Sequence, residues 1–156
     1  MAAEVGRPAP AFTLPGSDTT DRGRRDYSLA DYGGQVVVLV FYPGDSTPVC
    51  TRQLNAYTED IDSFTGAGAQ VLAISPQSVT SHDEFSCKQG GFAFPLLADT
   101  DKAVGEAYGI LGPLGFYRRS AFVVDAHGVV RYAHRAVAGL TFRSTDELVK
   151  AVEAAT

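Results

Sequence analysis

The segment Val36–Phe41, VVVLVF, is the feature that most limits what this chain can become. Six consecutive apolar residues, mostly β-branched, do not alternate inward and outward. A strand of that composition lies at the centre of a sheet with both faces covered. The run ends at Pro43-Gly44, and Pro48 follows as a residue suited to the first position of a helix. Leu54, Tyr57, Ile61 and Phe64 then recur at helical spacing, which predicts one helix from Pro48 to the Gly66–Gly68 stop. A second apolar run, Gln70–Ser75, reads as the next strand.

The rest of the chain supplies the other layers. Phe12 and Leu14 mark an extended N-terminal stretch, followed by a polar loop in which Arg22-Gly23-Arg24-Arg25 reads as a solvated turn. Ser28–Tyr32 is a short helical turn stopped by Gly33-Gly34. Ser81-His82-Asp83-Glu84 has capping-box spacing and starts or reinforces a helix running to Gly90-Gly91. Phe94–Leu97 is a short extended segment and Lys102–Tyr108 a short helix. Ser120–Val124 and Val129–His134 are strands joined by the turn Asp125–Gly128, and Asp146–Ala155 closes the chain as an amphipathic helix. This order predicts an α/β class with a mixed central sheet flanked by helices on both faces, the arrangement of a thioredoxin-like fold. With no repeat and no linker, residues 1–156 are expected to form a single domain.

Charge and composition remove several functions. A formal charge of −5 argues against a nucleic-acid partner, because phosphate binding needs a concentrated basic surface. No apolar run approaches the roughly 18–20 residues that span a bilayer, so no membrane role is expected. Met1–Gly6 lacks the charged and apolar regions of a signal peptide, which points to the cytoplasm. There a static disulfide between Cys50 and Cys87 is unexpected, and cysteines are more often buried, metal-binding or redox-active. They form no C-x-x-C pair, and His82, His127 and His134 do not fall at metal-ligand spacing with them.

Cys50 falls in the first turn of the helix that follows the central strand. Ligand sites in open α/β sheets lie at the carboxyl ends of strands, and a helix N-terminus offers unpaired N–H groups and partial positive charge. Both favour a thiolate, the nucleophilic form. Position alone leaves a second reading open: Cys50 also continues the stripe of Leu54, Tyr57, Ile61 and Phe64, as a small core residue would.

Pro43, Thr47 and Cys50 match the P-x-x-x-T-x-x-C motif of peroxiredoxins, and YPGDSTPVCT closely resembles the peroxiredoxin Q, or bacterioferritin-comigratory-protein, branch. VGRPAPAFTLPGSD, SHDEF, FPLLAD and RRSAFVVDAHGVVRY are similar to that branch's opening, middle and later strand pair, in order. The resemblance implies a thiol peroxidase with Cys50 as the attacking residue. Thr47 would hold the peroxide oxygens in line with the sulfur, and Pro43 would shield the site from water. Arg119, favoured by register over neighbouring Arg118, would stabilise the thiolate and polarise the O–O bond. Such chemistry needs an in-line sulfur and donors aimed at the departing oxygen, so no cofactor is expected. Ala121 replaces the commoner threonine of the R-S-T-F string, and Gln53 stands where many relatives carry glutamate.

Attack leaves a sulfenic acid that must be reduced before it over-oxidises. Many peroxiredoxin Q sequences place a resolving cysteine at the position that is Asn55 here. Another group places it in the next helix, where Cys87 lies, which implies an intramolecular disulfide recycled by a thioredoxin-like reductant. Cys87 shares a helix face with Asp83 and Glu84, away from that of Phe85. The alternative is a one-cysteine enzyme served by a low-molecular-weight thiol, with Cys87 a bystander. A non-enzymatic peroxide sensor would need the same Cys50. The loop Leu111–Tyr117 is expected to line the mouth, its apolar character tolerating organic hydroperoxides as well as hydrogen peroxide. The resemblance leans to a monomer or weak dimer. His82, His127 and His134 read as surface or capping residues, and the pairs Asp60/Asp62, Asp83/Glu84 and Asp99/Asp101 as solvated.

Overall fold

The computed structural model describes residues 3–18, 23–136 and 142–156. A mixed sheet of seven strands is flanked by helices, in the order β1 (Thr13–Asp18), β2 (Gly23–Ser28), β3 (Val36–Phe41), α1 (Pro48–Glu59), α2 (Ile61–Gly66), β4 (Ala69–Ser75), α3 (Val79–Lys88), β5 (Leu96–Ala98), α4 (Ala103–Ala107), β6 (Ser120–Val124), β7 (Val130–Arg135) and α5 (Thr145–Ala154). Across the sheet the strands run β2-β1-β5-β4-β3-β6-β7. β3 pairs in parallel with β4 and antiparallel with β6. The thioredoxin-like α/β class expected from the sequence is thus the observed one.

β3 is buried at every position. Val36, Val38 and Val40 enter one core with Leu54, Tyr57, Phe64, Phe85, Leu148 and Val152, where α1, α2, α3 and α5 pack. Val37, Leu39 and Phe41 enter the opposite core with Leu14, Leu72, Tyr108 and Phe122. Each fully buried aliphatic or aromatic side chain contributes about 1.5–3 kcal/mol. β3 therefore ties both layers together and fixes where its own C-terminal end points.

Three details differ from the sequence reading. Gly23, Arg24 and Arg25 are not a solvated turn but part of β2, an edge strand in register with β1 from Thr13↔Ser28 to Asp18↔Gly23; Arg22 lies outside the described residues. Charged side chains suit an edge strand, and these have partners: Arg24 Nε donates to Asp83 Oδ2 at 2.7 Å, and Arg25 stacks on Tyr27. The helix expected from Pro48 to Gly66 breaks at Asp60, whose carboxylate accepts from Thr145 Oγ1 at 2.8 Å, so that α2 can turn onto α5. The cap of α3 is Ser78, whose hydroxyl accepts from Ser81 N at 3.1 Å. Ser81 lies inside the helix.

The pair Asp99/Asp101 also divides. Asp99 is fully buried, not solvated, because it closes a turn. Its carboxylate accepts from Val104 N at 3.1 Å, Gly105 N at 2.8 Å and the Tyr117 hydroxyl. Gly105 is required there: a Cβ would come 2.7 Å from the Tyr117 ring. This cluster anchors the chain two residues before Arg119. Asp99→Ala would leave two amide N–H groups and a phenol without their acceptor in the interior. It is expected to lower unfolding free energy by about 3 kcal/mol, read from the urea midpoint.

Candidate active site

Chain geometry at the C-terminal end of β3 brings the candidate residues together. Tyr42 remains buried, Pro43 is exposed, and Thr47 caps α1 with an extended backbone (φ −84°, ψ 150°). Pro48 occupies the first turn without wasting a donor, and the first helical hydrogen bond runs from Thr51 N to Thr47 O at 2.9 Å. Cys50 is the third helical residue, with its N–H among the unbonded amides of the first turn. Thr47 Oγ1 donates to Gly44 O at 2.9 Å, folding the loop back on itself.

Arg119 reaches this helix end because β6 is antiparallel to β3. Phe41 pairs with Ser120, so the residue before Ser120 lies beside the chain leaving Phe41. Arg119 is 4% exposed, and its Nη1 donates to Cys50 Sγ at 3.2 Å and to Gln53 Oε1 at 2.6 Å. Gln53 lies one turn after Cys50, so the amide that stands in place of a carboxylate still orients the guanidinium. Arg118 is directed elsewhere, donating to Ala136 O at 3.0 Å. Burial pushes the Tyr57 phenol up to about 12, so it stays a donor, to Arg143 O at 2.5 Å, with Gln53 Nε2 at 3.5 Å from its oxygen.

A buried sulfur beside a permanently charged guanidinium and a helix N-terminus is an arrangement that stabilises a thiolate and any negative charge developing beside it. Cys50 itself is 0% exposed, and Cys87, in the last turn of α3, is exposed; neither is in a disulfide. Phe85, two residues earlier, is buried, so the two faces of α3 divide as the sequence indicated. Among the described residues no group of three or more His, Cys, Asp and Glu side chains could hold a metal, and no helix is long and apolar enough to cross a membrane.

One expectation changes, and one residue is added. His82 is not a surface residue: it is 0% exposed, with Nε2 at 2.9 Å from Leu97 O and Nδ1 at 2.7 Å from Asp45 Oδ2. Asp45, within the motif loop, was missed altogether by sequence reasoning. It also accepts from Tyr42 OH and Ser81 Oγ, each at 2.7 Å. Its place two residues before Thr47 was the only available signal. In the loop Leu111–Tyr117, Leu114 and Phe116 are largely exposed, Lys102 Nζ donates to Gly115 O at 2.9 Å, and Tyr117 turns inward to Asp99.

Comparison with known proteins places this geometry in a family. The sequence profile of the AhpC/TSA family matches residues 5–133. Peroxiredoxin-2 of Rattus norvegicus is 37% identical over 160 residues, covering 97% of this chain and 79% of its own. A thioredoxin peroxidase of Echinococcus granulosus is 39% identical over 138 residues, covering 84% and 70%. Among solved structures, the Xanthomonas campestris bacterioferritin comigratory protein, described for alkyl peroxide reduction, is 34% identical. It superposes with a TM-score of 0.81 over 97% of this chain and 98% of its own.

The Arg119 contact is directly testable. Arg119→Ala is expected to slow alkylation of Cys50 by iodoacetamide at neutral pH by about tenfold, followed by peptide mass spectrometry. Arg118→Ala should leave that rate within twofold of wild type, roughly the scatter of surface substitutions.

Proposed function

Because this chain belongs to the AhpC/TSA family, in the peroxiredoxin Q branch, and is a thiol peroxidase, we propose that Cys50 is its attacking sulfur, with Arg119, Thr47 and Pro43 as the supporting residues. The observation that carries this reading is the 3.2 Å contact from Arg119 Nη1 to Cys50 Sγ at the start of α1. In the step we infer, the Cys50 thiolate attacks the terminal oxygen of a hydroperoxide. The S–O bond forms as the O–O bond breaks, and the electron pair leaves on the alkoxide or hydroxide, which takes up a proton. The products are Cys50 sulfenic acid and an alcohol or water.

Arg119 suits both ends of that step. Its charge favours the thiolate before attack and the departing oxygen during it, and Gln53 fixes its orientation. Thr47 is placed by its own cap geometry, its hydroxyl now turned to Gly44 O and able to turn toward a bound oxygen. Pro43 presents an apolar ring without an N–H at the loop's outer side. Hydrogen peroxide and organic hydroperoxides share the terminal –OOH on which this step acts. The alkyl peroxide reduction described for the Xanthomonas protein favours accepting the larger ones.

For the second half of the cycle we favour Cys87 as the resolving residue. Its thiol condenses with the Cys50 sulfenic acid, forming the disulfide and releasing water. A thioredoxin-like dithiol then returns both cysteines to thiols. The exposure of Cys87, and the name of the Echinococcus relative, support this order. A cytoplasmic setting, where thiols are kept reduced between turnovers, fits the cycle. The monomer or weak dimer expected from the sequence fits as well, since both cysteines belong to one chain.

The test is intact-mass analysis of reduced protein after one equivalent of hydroperoxide, with peptide mapping. Wild type is expected to yield a Cys50–Cys87 disulfide. Cys87→Ser should stop at Cys50 sulfenic or sulfinic acid with the oxidation rate kept. Cys50→Ser should abolish peroxide consumption, and Arg119→Ala should slow it by about 100-fold or more. An unmodified Cys50 in wild type would sink the reading. Oxidised Cys50 with Cys87 still a thiol would make the enzyme one-cysteine.

A further inference from the structure

The network around Asp45 and His82 has no part in the attack itself, yet it joins the loop that carries the motif to the helix that carries Cys87. Asp45 is held from four directions. Its carboxylate accepts from Tyr42 OH, Ser81 Oγ and His82 Nδ1, and its backbone N–H donates to Gln77 Oε1. Burial, reinforced by the Asp45 carboxylate, keeps the Tyr42 phenol well above its usual range and hence a fixed donor. His82 Nε2 faces the Leu97 carbonyl, which only accepts, so that nitrogen carries a proton. The imidazole thus bonds the loop on one side and β5 on the other, with side-chain exposures of 0% for His82 and 3% for Asp45.

What this holds is a strained piece of chain. Ser46, next to Asp45, sits in the left-handed region at φ 62°, uncommon for a residue other than glycine, asparagine or aspartate. Thr47 and the first turn of α1 follow immediately. α3 is tied into the same network. Near its start, Ser81, His82 and Asp83 bond to the loop, to β5 and to Ser17 and Arg24. Its end runs through exposed Cys87 to Gly90 and Gly91, both at positive φ.

A disulfide needs Cβ atoms about 4 Å apart. Cys50 is wholly buried and Cys87 exposed on another helix, so the first turn of α1 must leave its place before the two can join. We propose that the Asp45–His82 bond is the latch on that movement, and His82 therefore a positioning residue that sets how long the Cys50 sulfenic acid persists. Releasing Asp45 frees Ser46 to relax and the turn carrying Cys50 to unwind. This inference rests on Cys87 being the resolving cysteine.

The experiment separates the two steps by rapid quench and intact mass: oxidation of Cys50, then disulfide formation. The amide of His82→Gln matches Nε2 and retains the Leu97 contact while losing Asp45. That of His82→Asn matches Nδ1 and restores a bond to Asp45. His82→Gln is expected to speed disulfide formation about tenfold, the scale of one charge-assisted hydrogen bond. The fraction trapped as sulfinic acid under excess peroxide should fall by a similar factor, and His82→Asn should return both toward wild type. Ser81→Ala, a milder change that keeps the imidazole, should move both in the same direction and decides the matter if His82→Gln does not fold. A merely structural role would not accelerate one step selectively. Disulfide formation in wild type with no acceleration in these variants would overturn the latch alone. Oxidised Cys50 without any disulfide in wild type would overturn the resolving role of Cys87, and the latch with it.

Discussion

β3 gives up water on both faces, and the placing of every other functional group follows from that burial. A strand packed between two cores can neither slide nor twist without opening one of them, so its C-terminal end is a fixed point. From this point the motif loop departs. Antiparallel pairing of β6 with β3 sets Arg119 beside it, and parallel pairing with β4 sets the chain entering α3 on the other side. Arg119 and His82 thus meet the loop from opposite flanks because the same strand pairs on both edges.

The electrostatic design of the site depends on exclusion of water as much as on charge. Arg119 is 4% exposed and faces a wholly buried sulfur, so the contact is weakly screened. Gln53 accepts from the same guanidinium nitrogen without adding a negative charge beside the sulfur. Asp99 works at a distance, holding Tyr117 and the turn into α4 so that the chain enters β6 at a fixed height.

Stability and reactivity pull against each other here. Cys50 is buried beside Arg119 while Cys87 is exposed on another helix, so the disulfide we propose requires the first helical turn to leave its packed position. A strained Ser46 beside a well-anchored Asp45 lets such a loop be both well placed and releasable.

Sequence alone determined the parts that depend on local chemistry. The unbroken apolar run of β3, the Pro48 helix start and the Cys50 stripe made the α/β class legible, and the motif with its flanking segments pointed to the family. Register against the family's R-S-T-F string favoured Arg119 over Arg118, and the structure sets Arg119 against Cys50. Tertiary structure decided what depends on partners distant in the chain. Arg24 and Arg25 looked like a solvated turn because an edge strand is stabilised by its neighbour, which local composition does not display. His82 and Asp99 looked solvated because a polar residue's burial depends on acceptors and donors that only folding brings near: Asp45 and Leu97 for one, Gly105 and Tyr117 for the other. Burying a polar group costs free energy unless it is bonded, and that bonding is a property of the assembled fold.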